Sequence, residues 1–202
     1  MPHNITPTTA SAQTTMALHD APSSIGADIR ALRKGRGLTL ESLAEDIGKS
    51  VGYLSQVERG ISTPSIADLR MIAGLFDIPL SFFLKAQTSQ DDEVGLIQRA
   101  ADRRMIGDEG DLVEELLSPD LSGQFEMLRS TFAPHASLDG IVRRPTEESG
   151  FIVKGTFDLE INGTWYHLKT GDSFRFKDAD MRWSNPSDDE CVIIWVIAPP
   201  VY

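Results

Sequence analysis

LESLAEDIGKSVGYLSQVERG, residues 40–60, reads as two short helices joined by a turn that can close in only one way. Ala44 is small where two helix axes must approach closely, and Gly48 stands where the first helix must end in a left-handed residue. Leu54 and Val57 are apolar at helical spacing on the second helix. An ordinary helical hairpin with a glycine cap would share the bare Ala-x-x-x-Gly spacing. The surrounding residues therefore have to decide.

Ser50 can cap the second helix, and Val51, Gly52, Tyr53, Ser55 and Gln56 then fall on its first two turns. A glutamine there can pair bidentately with an adenine edge in the major groove. Lys49, Arg59, Ser62 and Thr63 flank this helix with the cationic and hydroxyl donors that hold a phosphate backbone in register. Base-edge reading and backbone positioning are both provided for, as in a helix-turn-helix.

Upstream, Ile25, Ile29 and Leu32 repeat at helical spacing before the basic segment Arg33-Lys34-Gly35-Arg36-Gly37. Downstream, Thr63-Pro64-Ser65 opens a helix with the capping signal Ser65-x-x-Asp68, followed by apolar Ile66, Leu69, Ile72, Ala73 and Phe76. A last short helix is expected over 79–84. Five helices over 25–84, with the words IRALRKGRGLTLESLAEDIG, GYLSQVERG and TPSIADLRMIA, resemble the lambda-repressor-like, XRE-type DNA-binding domain. The resemblance implies that residues 50–58 form the recognition helix and that Thr39 caps the preceding helix near a phosphate.

The chain of 202 residues exceeds what such a domain needs, so a second core is expected after residue 90. The formal charge of −11 argues against general nucleic-acid affinity, but it is unevenly spread. Residues 24–85 hold eight Lys and Arg against seven Asp and Glu; the rest holds eleven against twenty-three. A nearly neutral reader neutralises few phosphates, so two copies on one operator are expected. The single cysteine, Cys191, excludes an intrachain disulfide framework and a cysteine-rich zinc site, in keeping with a reducing cytoplasm. In the run CVIIWVIA it reads as a buried small hydrophobe. No apolar run approaches the ~18 residues of a membrane span. Residues 1–23, rich in Thr, Ser, Ala and Pro, read as a disordered tail without signal-peptide character.

QTSQDDE, residues 87–93, falls in a polar linker taken as 86–94, after which the period changes from 3.6 to 2. Residues 113–117, 125–132, 151–154, 156–161, 165–168, 173–176 and 192–198 are β-rich runs, with an Asn162-Gly163 hairpin turn and a turn at Thr170-Gly171-Asp172. Short antiparallel strands at this spacing indicate a sandwich or barrel over 95–202. The words LVEELLSPDLSGQFEMLRSTFAPHASL, EESGFIVKGTFDLEINGTWYHLKTGDSFRF and SNPSDDECVIIWVIAPP resemble the small cupin, a double-stranded β-helix or jelly-roll barrel, that follows an XRE-type domain in many bacterial regulators.

A typical cupin binds a metal through a His-x-His pair, a glutamate and a later histidine. Aligned on Glu148 and Gly155, the His-x-His positions fall on Val142 and Arg144, and the later histidine on Arg182, or on Met181 if the loop is one residue shorter. The resemblance therefore implies no metal and no other cofactor. His3, His19, His135 and His167 read as solvated or structural, since a metal site needs several converging ligands. The acidic runs Asp108-Glu109-Gly110-Asp111 and Asp188-Asp189-Glu190 lack the ligand spacing of a calcium loop and read as turns. No catalytic constellation is evident.

What stands in place of the metal suggests a ligand site. Val142 and Arg144 share a strand face by alternation, so an inward Arg144 would sit beside Glu148 in the barrel mouth, with Arg182 arriving from the opposite motif. Two converging guanidiniums could clamp a carboxylate or phosphate against Trp183 or Trp165. Alternatively, Arg144 pairs with Glu148 and Arg182 with an acid such as Asp180 in a filled barrel. Arg143 is expected to point outward. The expected protein is a cytoplasmic, sequence-specific DNA-binding regulator, a homodimer on a palindromic operator, modulated by a small anionic or zwitterionic effector in a metal-free cupin pocket. Two alternatives stand beside it: a metal-dependent enzyme of the kind represented by the iron-dependent hydroxypropylphosphonate epoxidase, and a regulator whose cupin only dimerises.

Overall fold

A computed structural model describes residues 25–84, 92–93 and 95–201 of the protein. The expected tail at 1–23, with His3 and His19, and nearly all of the expected linker lie outside the described residues. The helices are α1 (Ile25–Gly35), α2 (Leu40–Asp46), α3 (Val51–Glu58), α4 (Ile66–Phe76) and α5 (Ser81–Leu84). Their caps follow from the sequence. Thr39 accepts from the Ser42 amide at the start of α2, and Ser50 accepts from the Tyr53 amide at the start of α3, each at 3.1 Å. Ser65 and Asp68 form a reciprocal capping box on α4. Gly48 takes φ +64°, so the chain turns sharply from α2 toward α3.

Ile29, Leu32, Leu43, Leu54, Ile72 and Phe76 fill the helical core. Gly26 of α1 sits against α3 so closely that a Cβ there would lie 2.0 Å from the Val57 carbonyl oxygen. Arg33 of α1 donates to both carboxylate oxygens of Glu58, at 2.6 and 2.9 Å, and to the Leu38 carbonyl at 2.9 Å. That bidentate bridge fixes the end of α3 against α1.

The strands are β1 (Met105–Glu109), β2 (Leu112–Leu116), β3 (Glu126–Phe132), β4 (Val142–Arg143), β5 (Glu147–Lys154), β6 (Thr156–Ile161), β7 (Thr164–Lys169), β8 (Ser173–Lys177), β9 (Asp180–Ser184) and β10 (Cys191–Ala198). A six-stranded sheet, β1-β2-β3-β10-β5-β8, faces a four-stranded one, β4-β9-β6-β7, and every pairing is antiparallel. Asn162 and Gly163 both take positive φ, the hairpin geometry that matches strand twist. Alternation along β10 sends Cys191, Ile193, Trp195 and Ile197 inward. Phe132 packs edge-on to Trp183 at 4.5 Å and tilted against Phe157 at 4.8 Å, and Trp195 meets Phe157 edge-on at 6.2 Å. Burial pushes the Cys191 thiol up to about 11, as suits a small buried hydrophobe.

The two halves meet through a buried ion pair. Arg104, just before β1, donates from Nη1 to Asp28 of α1 at 2.7 Å, with its guanidinium 4.2 Å from the centre of the Phe82 ring. Arg36 adds bonds from the end of α1 to the Phe76 carbonyl at 3.0 Å and the Val201 carbonyl at 3.1 Å. Among the described residues no helix is long and apolar enough to cross a membrane.

Candidate functional site

Burial of Leu54 and Val57 turns the opposite face of α3 outward, so Val51, Gly52 and Gln56 are exposed and Ser55 half-buried. Gln56 is not free to wander. Its Oε1 accepts from the Ser62 hydroxyl at 2.9 Å, and the amide nitrogen remains as the side chain's donor. Arg59 donates to the Ser55 carbonyl at 3.2 Å and stays exposed, as does Thr63. Thr39 and Ser50 are the caps described above, near the surface at the start of their helices.

Two of the expected DNA contacts have structural work as well. Tyr53 is half-buried, and its hydroxyl donates to Asp68 at 2.8 Å. Lys49 bridges to the same carboxylate at 2.7 Å and lies over the Tyr53 ring. Lys49, and then the hydroxyls of Tyr53 and Ser65, hold the Asp68 carboxyl well below the usual carboxylate range against the opposing effect of burial. The trio ties the start of α3 to α4, so that part of what the sequence offers to phosphate is spent on orienting the helix.

In the barrel, a cavity of about 150 Å³ is walled by Leu128, Phe132, Val142, Met181, Trp183 and Trp195, with Arg144 and Glu114 as its charged members. Val142 pairs with Met181 across β4 and β9, and both line this cavity. Among the described residues, no group of three His, Cys, Asp or Glu side chains could hold a metal ion. His135 meets Asp188 at 2.9 Å and His167 meets Asp158 at 2.7 Å, both on the surface. Arg143 points out to Asp178 and Asp180.

The expected convergence of Arg144, Glu148 and Arg182 does not occur. Alternation along β9 buries Met181 and Trp183 and turns Arg182 to the outer face, where it pairs with Glu160 and stacks 5.1 Å from the centre of the Trp165 ring. Of the two possible alignments, Met181 is the inward residue. Glu148 is inward but only 2 % exposed, and its oxygens accept from the Thr146 hydroxyl at 2.8 Å and from Trp195 Nε1 at 2.9 Å. It locks the barrel's own side chains together, and Arg144 is not among its partners.

Glu114 was missed in the sequence although its signal is there: Leu112, Glu114 and Leu116 alternate onto one face of β2, and Leu116 is buried. The carboxylate accepts from the Ser130 hydroxyl at 3.1 Å. Arg144 also borders a second space, a cleft of about 490 Å³ between the two halves that includes Arg36 and Asp77 from the helices and Thr146 and Val201 from the sheets. One side chain thus touches both the barrel cavity and the helical domain's boundary.

Residues 29–83 match the helix-turn-helix family model and residues 128–197 the cupin domain model. The chain is 24% identical over 178 residues to the HTH-type transcriptional regulator PuuR of Escherichia coli, covering 88% of this chain and 96% of that protein. It is 30% identical over 149 residues to the HTH-type transcriptional regulator SutR of Escherichia coli, covering 73% and 79%. Among solved structures, an HTH_3 family transcriptional regulator from Vibrio cholerae is similar at 24% identity and a TM-score of 0.42, over 88% of this chain and 96% of that one. The chain belongs to the HTH-type transcriptional regulators that join an XRE-type DNA-binding domain to a C-terminal cupin.

Proposed function

We propose that this regulator binds a palindromic operator as a homodimer, with residues 24–85 reading DNA through α3, residues 86–94 as the linker, and residues 95–202 as the dimerisation and sensor domain. The observation that carries the reading is the outward face of α3: Gln56 is held by Ser62 on a helix braced by Arg33–Glu58 and Lys49–Asp68. A preorganised amide at the surface is what adenine readout requires. Thr39, Lys49, Ser50, Val51, Gly52, Tyr53, Ser55, Arg59, Ser62 and Thr63 complete the interface, with Tyr53 acting mainly through its bond to Asp68.

Dimerisation through the cupin is supported by the outer face of the six-stranded sheet. Phe151 and Val153 of β5 are 48% and 44% exposed, beside half-exposed Ile194 and Val196 of β10. An apolar patch at the middle of a sheet is more costly in water than against a second copy. Two-fold pairing would then present two copies of α3 to half-sites about one helical turn apart.

The effector reading rests on Arg144. Among the described residues this half-buried guanidinium has no hydrogen-bond or ion-pair partner, which suits a carboxylate-bearing anion or zwitterion. A ligand there would alter the cleft containing Arg36 and Asp77, and it changes operator affinity only to the extent that it prefers one arrangement of the halves. A regulator rather than an enzyme, working in the cytoplasm where the DNA is, fits Val142 and Met181 at the ligand positions. The test is selection of duplexes from a random pool by the full chain, with light scattering of the complex. Enrichment of an inverted repeat bound by two chains supports the reading; no enrichment, or a monomer on a single half-site, contradicts it.

A further inference from the structure

Residues 49–68 carry two cations, Lys49 and Arg59, and two acids, Glu58 and Asp68, so α3 and its flanks are electrically balanced. Glu58 is taken up by Arg33 of α1. The other acid, Asp68 of α4, has a side chain only 5% exposed. One of its oxygens meets the Lys49 ammonium at 2.7 Å, and the other accepts from the Tyr53 hydroxyl at 2.8 Å and the Ser65 amide at 3.2 Å. Ser65 in turn accepts from the Asp68 amide at 3.1 Å, which seats the carboxylate on the cap of its own helix. Lys49 is thus held between a fixed carboxylate and the Tyr53 ring, 5.7 Å from its centre. Arg59 forms no ion pair among the described residues and is left for the phosphate backbone.

Affinity for any duplex grows with the number of phosphates neutralised, whereas discrimination among sequences depends on contacts to base edges and hence on how firmly the reading helix is aimed. A free lysine just before the Ser50 cap would add to the first; tied to Asp68, it adds to the second. We infer that Asp68 is a specificity-determining positioning residue of the DNA reader: it withholds Lys49 from phosphate and, through Lys49 and Tyr53, aims the start of α3, lowering affinity for all duplexes while widening the gap between operator and other sequences. This rests on the reading of α3 as the recognition helix. Asparagine at 68 keeps the size of the side chain and an acceptor for Tyr53, but loses the charge that holds Lys49. A released Lys49 helps every duplex alike, and a loosened α3 harms only the duplex whose bases it reads. A bridge that merely stabilised the fold would leave the salt dependence of binding unmoved.

The affinity of the full chain for a random-sequence duplex, followed by fluorescence anisotropy over a salt series, reads the number of phosphate contacts. In Asp68→Asn the slope of log affinity against log salt should steepen by about one unit per bound chain, with a rise in affinity of at least threefold at the lowest salt. Lys49→Met should flatten the slope more in the Asp68→Asn background than in the parent, the difference approaching one unit. On a duplex selected from a random pool, the ratio of selected to random affinity should fall at least threefold in Asp68→Asn. An unmoved slope in Asp68→Asn, equal flattening by Lys49→Met in both backgrounds, or an unchanged affinity ratio overturns the assignment. Should Asp68→Asn lose the parent's ellipticity at 222 nm, Asp68→Ser, which keeps a polar acceptor beside the cap, carries the same readings. Failure of the parent to enrich any duplex removes the reading through α3, and the random-duplex slopes still decide whether Asp68 withholds Lys49. Normal operator binding with unmoved slopes removes the role of Asp68 alone.

Discussion

Asp28→Asn should separate the two halves energetically. Asp28 is 5% exposed and Arg104 3%, with 2.7 Å between Oδ2 and Nη1. The Nε and Nη2 atoms of Arg104 are buried without hydrogen-bond partners among the described residues. Removing the carboxylate charge therefore leaves a buried guanidinium with a neutral amide in place of its counter-ion, beside the Phe82 ring at 4.2 Å. Breaking such a pair from one side costs about 3–5 kcal/mol. For a chain of this size, that corresponds to a fall in Tm of about 6–20 °C if it unfolds as one unit. The assay has a natural readout, because Trp165, Trp183 and Trp195 all lie on strands whereas ellipticity at 222 nm follows the helices. In the parent chain the two transitions should coincide; in Asp28→Asn the helical transition should precede the tryptophan one. The double variant Asp28→Leu with Arg104→Met should recover most of the loss, since an apolar replacement of both partners removes the stranded charge. A single variant within about 2 °C of the parent, with coincident transitions, would refute the view that this pair couples the halves.

Three further outcomes follow from other contacts. Gly26→Ala places a Cβ 2.0 Å from the Val57 carbonyl oxygen and should destabilise the helical domain by about 1–3 kcal/mol in urea unfolding, through displacement of α3 from α1. Trp195→Phe removes one donor from the buried Glu148 carboxylate and should cost about 1–3 kcal/mol in the tryptophan-monitored transition, more than the ring's change in size alone would give. Because Lys49 and its neighbours hold Asp68 below the usual carboxylate range, the stability from that ionised group is complete above that range and is lost as the pH falls through it toward the lowered folded value; Asp68→Asn should flatten this acid limb in a series of Tm measurements against pH, and an unchanged limb would contradict the bridge.

The helical half was legible because its signals are local. Thr39, Ser50 and Ser65 cap where their side chains can reach an amide three residues on, and Gly48 takes the left-handed turn that its position required. What escaped was non-local. Nothing within the segment 24–85 says that Lys49 will meet Asp68, or that Gly26 is demanded by the Val57 carbonyl. In the sheets, β6 is readable to its ends from alternation and the Asn162-Gly163 turn, and a strand through Val142 from its alternation with Arg144, whereas β1 and β9 are not. β9 reads DMRWS, with three polar residues in five, and only its pairing with β4 and β6 makes it a strand. Missing it allowed Arg182 to be placed inside the barrel, and a strand's period of 2 makes a one-residue error in alignment a reversal of face. Arg144 and Val142 both line the cavity, as a spacing of two along one strand face requires. Glu114 lay in a run read for its apolar members, so its alternation with Leu112 and Leu116 went unused.

Whether α3 reads bases through a fixed Gln56 is decided by the affinity of Gln56→Ala for the selected operator and for random duplex at one stated salt concentration. The side chain's bond to Ser62 is lost in the variant, but Leu54 and Val57 still seat the helix. The expected loss is about 1–3 kcal/mol on the operator, with non-specific binding nearly unchanged. Equal losses on both duplexes, or none on either, would contradict it.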